Sequence, residues 1–439
     1  MRKKAALIAI FAFSSIAAVA AQSSTKDLTN AIDMLWLILT GSLVFFMQAG
    51  FALVETGLTR AKNATNIIMK NLMDFCIGSI VFWMIGWGFM YGADKFGGLI
   101  GFSDFFKGPA SDPGFYRDWF FQVVFAATSA TIVSGAMAER TQFKSYLLYT
   151  AFISAFIYPI AGHWSWGGGW LAKLGFHDFA GSLVVHSVGG WAALVGAIIL
   201  GPRTGKYVRA NGHVSVKAFP GHNIPLAALG VFILWFGWYG FNPGSTLSGM
   251  SQDISRVAVT TTLAASAGAF SALVFSWFLF KKPDASMTMN GILAGLVAIT
   301  APCAVVSPAD SLIIGLIAGI LVVLSVEFID KTLKVDDPVG AVSVHMVNGI
   351  FGTLAVGLWG NVQGIAVGVF YGGGIRQLTV QALGVLTVSA WTAGLSLILF
   401  TLIKASVGLR VSEKDELMGL DLSEHKSEAY SGFQFFSNM

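Results

Sequence analysis

The stretch DFAGSLVVHSVGG at 178–190 returns in a second form, DPVGAVSVHMVNG, at 337–349. Both copies have an aspartate at the first position, a glycine at the fourth, a histidine at the ninth and a glycine at the thirteenth. The first copy begins the fifth predicted helix, and the second copy begins the tenth. An odd number of membrane crossings separates the two copies, so the chain runs through them in opposite directions. The pattern therefore predicts two inverted repeats with a solute site near the middle of a bilayer.

The composition around these copies is that of a membrane protein. Of the 439 residues, 55% are hydrophobic and 11% are charged, and the mean hydropathy is +0.70. Charged residues are less than half as frequent as in soluble domains, so lipid is the main solvent of this chain. The net charge of +4 is scattered over short loops and forms no single stripe, which excludes a nucleic-acid-binding protein.

Apolar runs long enough to cross a bilayer predict the fold. We expect an all-α membrane protein with eleven transmembrane helices, arranged as two inverted five-helix repeats plus a C-terminal helix. The predicted spans are 32–54, 72–92, 119–137, 146–164, 179–200, 224–241, 255–280, 289–306, 311–329, 341–360 and 383–407. The predicted regions are a signal peptide (1–21), a first repeat (30–200), a second repeat (220–360), the eleventh helix (380–408) and a cytoplasmic tail (409–439).

The distribution of Lys and Arg predicts the orientation. Seventeen of them lie on one set of alternate connections and on the tail, and seven lie on the other set. By the positive-inside rule, we expect a protein of the cell (inner or cytoplasmic) membrane with its N-terminus outside and its C-terminus in the cytoplasm. The basic start MRKK and the apolar stretch at 5–19 favour a signal peptide, which agrees; an uncleaved signal anchor is the alternative.

The two repeated histidines, His186 and His345, are candidate pore residues. Eight residues at about 1.5 Å rise place each histidine about 12 Å inside a helix that begins at its aspartate, close to halfway through a layer of roughly 30 Å. One helix enters from each side, so we expect the rings to be neighbours. Two neutral imidazoles then form a polar line in an apolar lumen. The alternatives are a packing contact and a metal site; further ligands are missing at a suitable spacing, so we expect no metal and no cofactor.

Aromatic residues cluster around these helices. Trp166 at the outer end of the fourth span and Trp238 and Ser245 in and after the sixth span predict a vestibule, where an indole face attracts a small cation and a hydroxyl accepts its N–H. The alternative is an interfacial aromatic belt. A nucleophile triad, a phosphate-binding loop and a carboxylate pair are all missing from the sequence, so we do not expect an enzyme.

Several stretches, in order along nearly the whole chain, resemble the ammonium transporter family. They are AMAER (136–140), WGGG (166–169), DFAGSLVVH (178–186), GWYGFNPGS (237–245), VDDPVGAVSVH (335–345), GLRV (408–411), GLD (419–421) and EAY (428–430). The resemblance implies a homotrimer in membrane lipid with one narrow pore per subunit, which conducts ammonium or ammonia for nitrogen uptake.

The resemblance also implies roles for individual residues. These roles are an outer ammonium site (Trp166, Ser245, Phe125), a gate (Phe125, Phe241), pore histidines (His186, His345), and pore wall and supporting positions (Trp238, Asp178, Phe121). The spacing makes Asp178 a candidate helix N-cap as well. Because a bare cation in a narrow apolar lumen is costly, we expect ammonium to lose its proton at the gate and to cross the lumen as ammonia.

A PII-type regulatory protein is the implied partner at the cytoplasmic exit, with the tail segment GFQFF (432–436) as a docking element; a solvated terminus is the alternative. Two positions depart from the family pattern, namely Pro243 and the pair after His425. The rival functions are a Rh-type gas channel, disfavoured by the cation site at Trp166, and a sensor, disfavoured by the short tail.

Overall fold

Helices that are long enough to cross a membrane make up most of the protein. The computed structural model describes residues 2–107, 113–210 and 213–431, with side chains from residue 25 onward except at Ala210. The predicted signal peptide (1–21) and the predicted docking element (432–436) lie outside the residues whose side chains are described.

The helices follow one another with short connections. In chain order they are α1 (Arg2–Leu58, with Thr25–Leu58 as the candidate span), α2 (Ala61–Tyr91), α3 (Pro113–Met137), α4 (Phe143–Lys173, interrupted at 166–169), α5 (Ser182–Leu200), α6 (Ile224–Thr246), α7 (Asp253–Phe280), α8 (Ala285–Thr300), α9 (Pro308–Leu333), α10 (Val342–Trp359), α11 (Arg376–Ser406), α12 (Glu413–Met418) and α13 (Leu420–His425). The all-α membrane architecture predicted from the sequence is therefore confirmed.

The count of eleven full spans is not confirmed at α8. Within the described residues, ten helices are long and apolar enough to cross a membrane, and α8 is apolar but has only 16 residues. The sequence predicted a span over 289–306, yet residues 301–306 form turns. Pro302 has no N–H to donate to a helical hydrogen bond. The helix therefore ends at Thr300, although the apolar run continues beyond it.

Side-chain caps begin several of the helices. Asn223 accepts a hydrogen bond from Leu226 N (2.9 Å) at the start of α6, and Asp284 accepts one from Met287 N (2.8 Å) at the start of α8. Ser307 and Asp310 form a reciprocal capping box at the start of α9. These side chains satisfy backbone N–H groups that a helix cannot satisfy itself.

Three short antiparallel hairpins lie in the described connections. They pair β1 (Asp94–Lys95) with β2 (Ile100–Gly101), β3 (Tyr207–Ala210) with β4 (His213–Val216), and β5 (Asn361–Val362) with β6 (Ala366–Val367). Each hairpin satisfies backbone groups of a connecting segment outside the helices.

The helix packing places α5 and α10 at the centre. α1 packs along α6, α7 packs against α8 and α9, and α5 packs between α3, α10 and α11. One continuous hydrophobic core runs through all of these helices. The two helices that carry the repeated histidines therefore lie side by side in the interior.

Candidate solute pathway

The two repeated histidines meet in the interior of the helix bundle. His186 Nδ1 and His345 Nδ1 lie 3.3 Å apart, and the ring centroids are 5.3 Å apart with an angle of 25° between the planes. In a neutral pair, one ring donates its N–H and the other accepts with its lone pair. Both rings lie on π-helical turns, 182–187 and 342–347. Such turns are common at functional sites because they turn side chains out of the regular helical register.

Two glycines let the histidine helices approach so closely. Each follows its histidine by four residues, so it lies one turn further along the same helix face. A Cβ at Gly190 would lie 2.3 Å from Met346 N, and a Cβ at Gly349 would lie 2.4 Å from Ser182 O. No side chain fits at either position without displacing the backbone of the other helix.

The repeated aspartates organise the start of each histidine helix. The carboxylate of Asp178 accepts four backbone N–H groups at 2.9–3.0 Å, two at Oδ1 and two at Oδ2; the donors are Gly181, Ser182, Leu183 and Val184. Asp337 accepts two in the same way, from Gly340 (3.0 Å) and Val342 (2.7 Å). The carboxylates thus satisfy the free N–H groups of both helix starts.

This arrangement corrects the predicted depth of the histidines. The helices begin at Ser182 and Val342 and not at the aspartates. Residue Gly181 has φ +114°, so the chain turns there before the helix starts. His186 consequently lies about 6 Å from the start of its helix at 1.5 Å per residue, and not about 12 Å. Asp178 caps the helix from three residues before the N-cap position, which is occupied by Gly181.

A cavity of about 170 Å³, named the outer cavity after the predicted orientation, lies on the Phe125 side of the histidines. Its lining is Tyr91, Phe121, Gln122, Phe125, Trp166, Phe179, Ser245 and Leu247. Trp166 Nε1 donates to Asp178 O (2.7 Å), which fixes the indole ring and occupies its only donor. Ser245 Oγ donates to Phe241 O (2.8 Å), so the hydroxyl keeps lone pairs to accept a hydrogen bond. The cavity thus offers an aromatic face and an acceptor, which suit a small cation that donates N–H groups.

Aromatic rings in contact with one another lie below the outer cavity. The rings of Phe125 and Phe241 are 4.3 Å apart, and Phe125 also meets Phe121 (4.9 Å) and Trp166 (6.0 Å). Phe125 and Phe241 are buried. The two rings, here called the closure, therefore lie between the outer cavity and the histidine pair.

His186 lies between this closure and His345. It stacks on Phe241 (5.2 Å) and on Trp238 (5.1 Å), whose Nε1 donates to Thr300 Oγ1 (3.0 Å). His186 Nε2 is buried and has no hydrogen-bond partner among the residues that the structure describes. A buried polar atom without a partner is costly, and a polar solute beside the ring would satisfy it.

His345 borders a second cavity, and this cavity adjoins a third, larger one. A pocket of about 20 Å³, here called the inner pocket, is lined by His345, Glu55, Asn290 and apolar residues. Asn290 and Val339 also line a larger space of about 410 Å³, the inner vestibule, which carries Arg203, Lys206 and three aspartates. His345 thus borders the inner pocket, which shares two lining residues with the inner vestibule.

The structure brings all the sequence-predicted site residues into this one region, and it adds residues that the sequence analysis missed. Tyr91, Gln122 and Glu55 are polar residues of the lining that were not predicted. The signal for Gln122 was present, because a polar side chain inside an apolar span is a functional candidate. Glu55 was missed because the first predicted span ended at residue 54.

Comparisons with known proteins agree with this architecture. The family model of the Ammonium Transporter Family matches residues 35–430. Ammonium transporter Amt2 of Archaeoglobus fulgidus is 46% identical over 421 residues, which cover 92% of this chain and 89% of that protein. A putative ammonium transporter of Synechocystis sp. is 43% identical and covers 95% of this chain and 94% of its own.

Solved structures are similar over the same length. A chain described as Sensor Amt Protein has a TM-score of 0.86 and 44% identity, and the match covers 91% of this chain and all of that one. Candida albicans Mep2 has a TM-score of 0.80 and 27% identity, with 93% and 95% covered. The chain therefore belongs to the ammonium transporter family and is a multi-pass membrane transporter, not an enzyme.

Proposed function

We propose that each chain conducts ammonium through a pore with the twin histidines His186 and His345 at its centre. The observation that carries the proposal is the direct contact of the two rings between an outer cavity and an inner pocket. In this proposal the solute enters at the outer cavity, passes the two phenylalanines and is then hydrogen-bonded by the imidazoles. Family membership supports ammonium as the substrate.

The narrow passage favours neutral ammonia over bare ammonium between the closure and His345. A cation that leaves water for an apolar interior loses a large hydration energy, whereas a neutral molecule loses much less. Ammonium recruited at Trp166 and Ser245 therefore gives up its proton near Phe125 and Phe241. The imidazoles then supply the hydrogen bonds that the dry lumen otherwise lacks.

The orientation, the oligomeric state and the partner belong to the same proposal. An outer Trp166 and an inner vestibule beside Arg203 and Lys206 agree with the positive-inside rule, with the C-terminus in the cytoplasm. The tail packs against the same end, where Glu416 binds Arg410 (2.6 Å) and Thr204. We place a homotrimer in the cytoplasmic membrane, with a PII-type protein at the vestibule. The mass of the purified particle and co-purification of the partner test these two points.

Replacing His186 by alanine tests the pore directly. We expect His186→Ala to lower methylammonium uptake by about tenfold or more, because the solute loses a hydrogen bond worth ~1–3 kcal/mol where no water can replace it. The measurement is uptake of labelled methylammonium by a host that lacks its own ammonium transporters. His213→Ala, which removes an exposed histidine from β4, is the control and should transport like the wild type. Wild-type uptake by His186→Ala would contradict the pore assignment.

Replacing Trp166 by leucine tests the recruitment of a cation. We expect Trp166→Leu to raise the KM for ammonium by roughly 2- to 30-fold, since a cation on an aromatic face gains ~0.5–2 kcal/mol. The maximal rate should change less, because the histidines remain in place. Trp277→Leu is a matched control, as Trp277 is 54% exposed on α7, away from the pathway. An unchanged KM in Trp166→Leu would argue for a gas channel without a cation site.

A further inference from the structure

We propose that Glu55 is a proton-carrying residue of the pore, which returns a proton to ammonia after the molecule has passed His345. The inference rests on the proposed pore. It goes beyond that pore in two respects. It assigns a role to a carboxylate on the His345 side of the histidine pair, and it states that one proton crosses the membrane with each ammonia molecule.

The position of Glu55 is unusual for a carboxylate. It lies on α1 inside the bundle, its residue is only 3% exposed, and it lines the inner pocket together with His345. Carboxylates in membrane interiors are costly and mark ion or proton pathways. Ser134 Oγ on α3 donates to Glu55 Oε2 (2.7 Å). Because a hydroxyl can both donate and accept, this partner suits the ionised and the protonated carboxyl group alike.

The size of the inner pocket fits a single small molecule. Its volume of about 20 Å³ exceeds the ~10–15 Å³ that one water-sized molecule requires. Most of its lining is apolar, and the polar side chains that reach it are those of His345, Glu55 and Asn290. Asn290 Nδ2 already donates to Val339 O (3.2 Å). An ammonia molecule in this pocket therefore has the imidazole on one side and the carboxyl group of Glu55 as its proton donor.

Charges of both signs surround Glu55 at longer range. Lys70 on α2 is buried, and its Nζ donates to Thr141 O (3.2 Å). Asp74 on α2 and Asp337 before α10 are the negative groups within electrostatic reach. Asp74 is held by Thr150 (3.0 Å) and Tyr146 (3.3 Å) and lines neither the inner pocket nor the inner vestibule. Glu55 is thus the carboxylate of this group that is both buried among the helices and open to the solute.

The proton balance of the step is complete. Ammonium at the outer cavity breaks one N–H bond and becomes ammonia, and the proton moves through the His186–His345 contact to the Glu55 carboxylate. Ammonia follows into the inner pocket and takes that proton from the Glu55 carboxyl group, which returns to its ionised form. One ammonium ion enters and one leaves, so each transported molecule carries one positive charge across the membrane.

The test compares charge movement with ammonia movement in the same proteoliposomes. An ammonium gradient is applied to the full-length protein, and the evoked current is recorded together with internal alkalinisation, read by a pH-sensitive dye and corrected with protein-free vesicles. Ammonia that enters with its proton leaves the internal pH almost unchanged, whereas ammonia that enters alone takes up an internal proton, so the wild type should give a current with little alkalinisation. We expect Glu55→Gln to lower the current by about tenfold or more while ammonia still enters, so that the alkalinisation rises above the wild-type signal. The substitution is nearly isosteric, and Ser134 can still donate to the amide oxygen. Asp74→Asn, the matched control, should keep both signals within about twofold of the wild type.

Each other outcome contradicts the inference in a recognisable way. A current within twofold of the wild type in Glu55→Gln removes the proposed role. Loss of the current without a gain in alkalinisation, or the same loss in Asp74→Asn, assigns the carboxylate to packing. If the wild type alkalinises the vesicles without any current, no proton follows the ammonia and the Glu55 step fails while the pore stands. If the wild type produces neither signal, the proposed pore itself fails.

Discussion

Gly190→Ala is expected to impair transport strongly, although the residue does not line the outer cavity or the inner pocket. The new Cβ would lie 2.3 Å from the backbone nitrogen of Met346, the residue that follows His345. Backbone cannot yield as a flexible side chain does, so α5 and α10 must separate and the 3.3 Å contact of the histidines is lost. We expect uptake of methylammonium to fall by about tenfold or more, together with ~1–3 kcal/mol of stability from overpacking.

The matched control for this substitution is Gly394→Ala on α11. A Cβ at Gly394 meets nothing within 4 Å, and alanine is the better helix former. This variant should transport normally and be at least as stable as the wild type in detergent. Normal uptake by Gly190→Ala would mean that the histidine helices separate without effect on transport, against the role given to their contact.

Asp336→Asn is expected to cause the largest loss of stability. The carboxylate of Asp336 accepts two hydrogen bonds of 2.9 Å from Arg203, which also donates to Glu139 (3.1 Å). The backbone carbonyl oxygen of Asp336 accepts a hydrogen bond from Arg140 Nη2 (2.8 Å). All four side chains are buried. Removing one charge of a buried network leaves the others uncompensated, which costs ~3–5 kcal/mol. Unfolding of the purified protein by heat or by SDS in mixed micelles measures this loss.

An exposed ion pair provides the comparison. Asp253 pairs with Arg256 (2.9 Å), but their side chains are 55% and 36% exposed. Asp253→Asn should therefore change stability by no more than ~1 kcal/mol. Equal effects of the two substitutions would show that the Asp336 network is not electrostatically important.

The same network has a predictable pH dependence. Burial alone would raise the pKa of Asp336, but the hydrogen bonds from Arg203 and the charges of Arg140 and Arg203 hold the pKa well below its usual range. A carboxylate with a lowered pKa stabilises the folded protein above the unfolded-state pKa of about 3.9 and loses this contribution as the pH falls toward the folded-state value. The stability difference between wild type and Asp336→Asn should therefore be constant at neutral pH and shrink below about pH 4.

Much of the fold was predictable because it is encoded locally. Long apolar runs with few charges are stable only as helices in lipid, since every backbone group must be satisfied within the segment. The all-helical membrane fold follows from this rule. The repeat of His186 at His345 also predicted that the two rings would be neighbours, because an inverted repeat brings equivalent positions together near the membrane centre.

Other features depend on hydrogen bonding and backbone turns, which hydrophobic patterns do not show. α5 begins at Ser182 because the chain turns at Gly181 and the Asp178 carboxylate caps the first N–H groups of the helix from outside it. α8 ended at Thr300 although the apolar run continues. Hydrophobic patterns report which residues avoid water, and they do not report where hydrogen bonding changes.

The amino-acid sequence by itself determined that this chain is a helical membrane protein with two related histidines in its interior. Only the tertiary structure decided that Glu55 shares a pocket with one of them, that Gly190 and Gly349 allow their helices to approach closely, and that the rings of Phe125 and Phe241 touch. The reason is that cavities and close approaches are made by several helices at once. Their dimensions depend on how side chains of distant segments pack, which no single segment specifies.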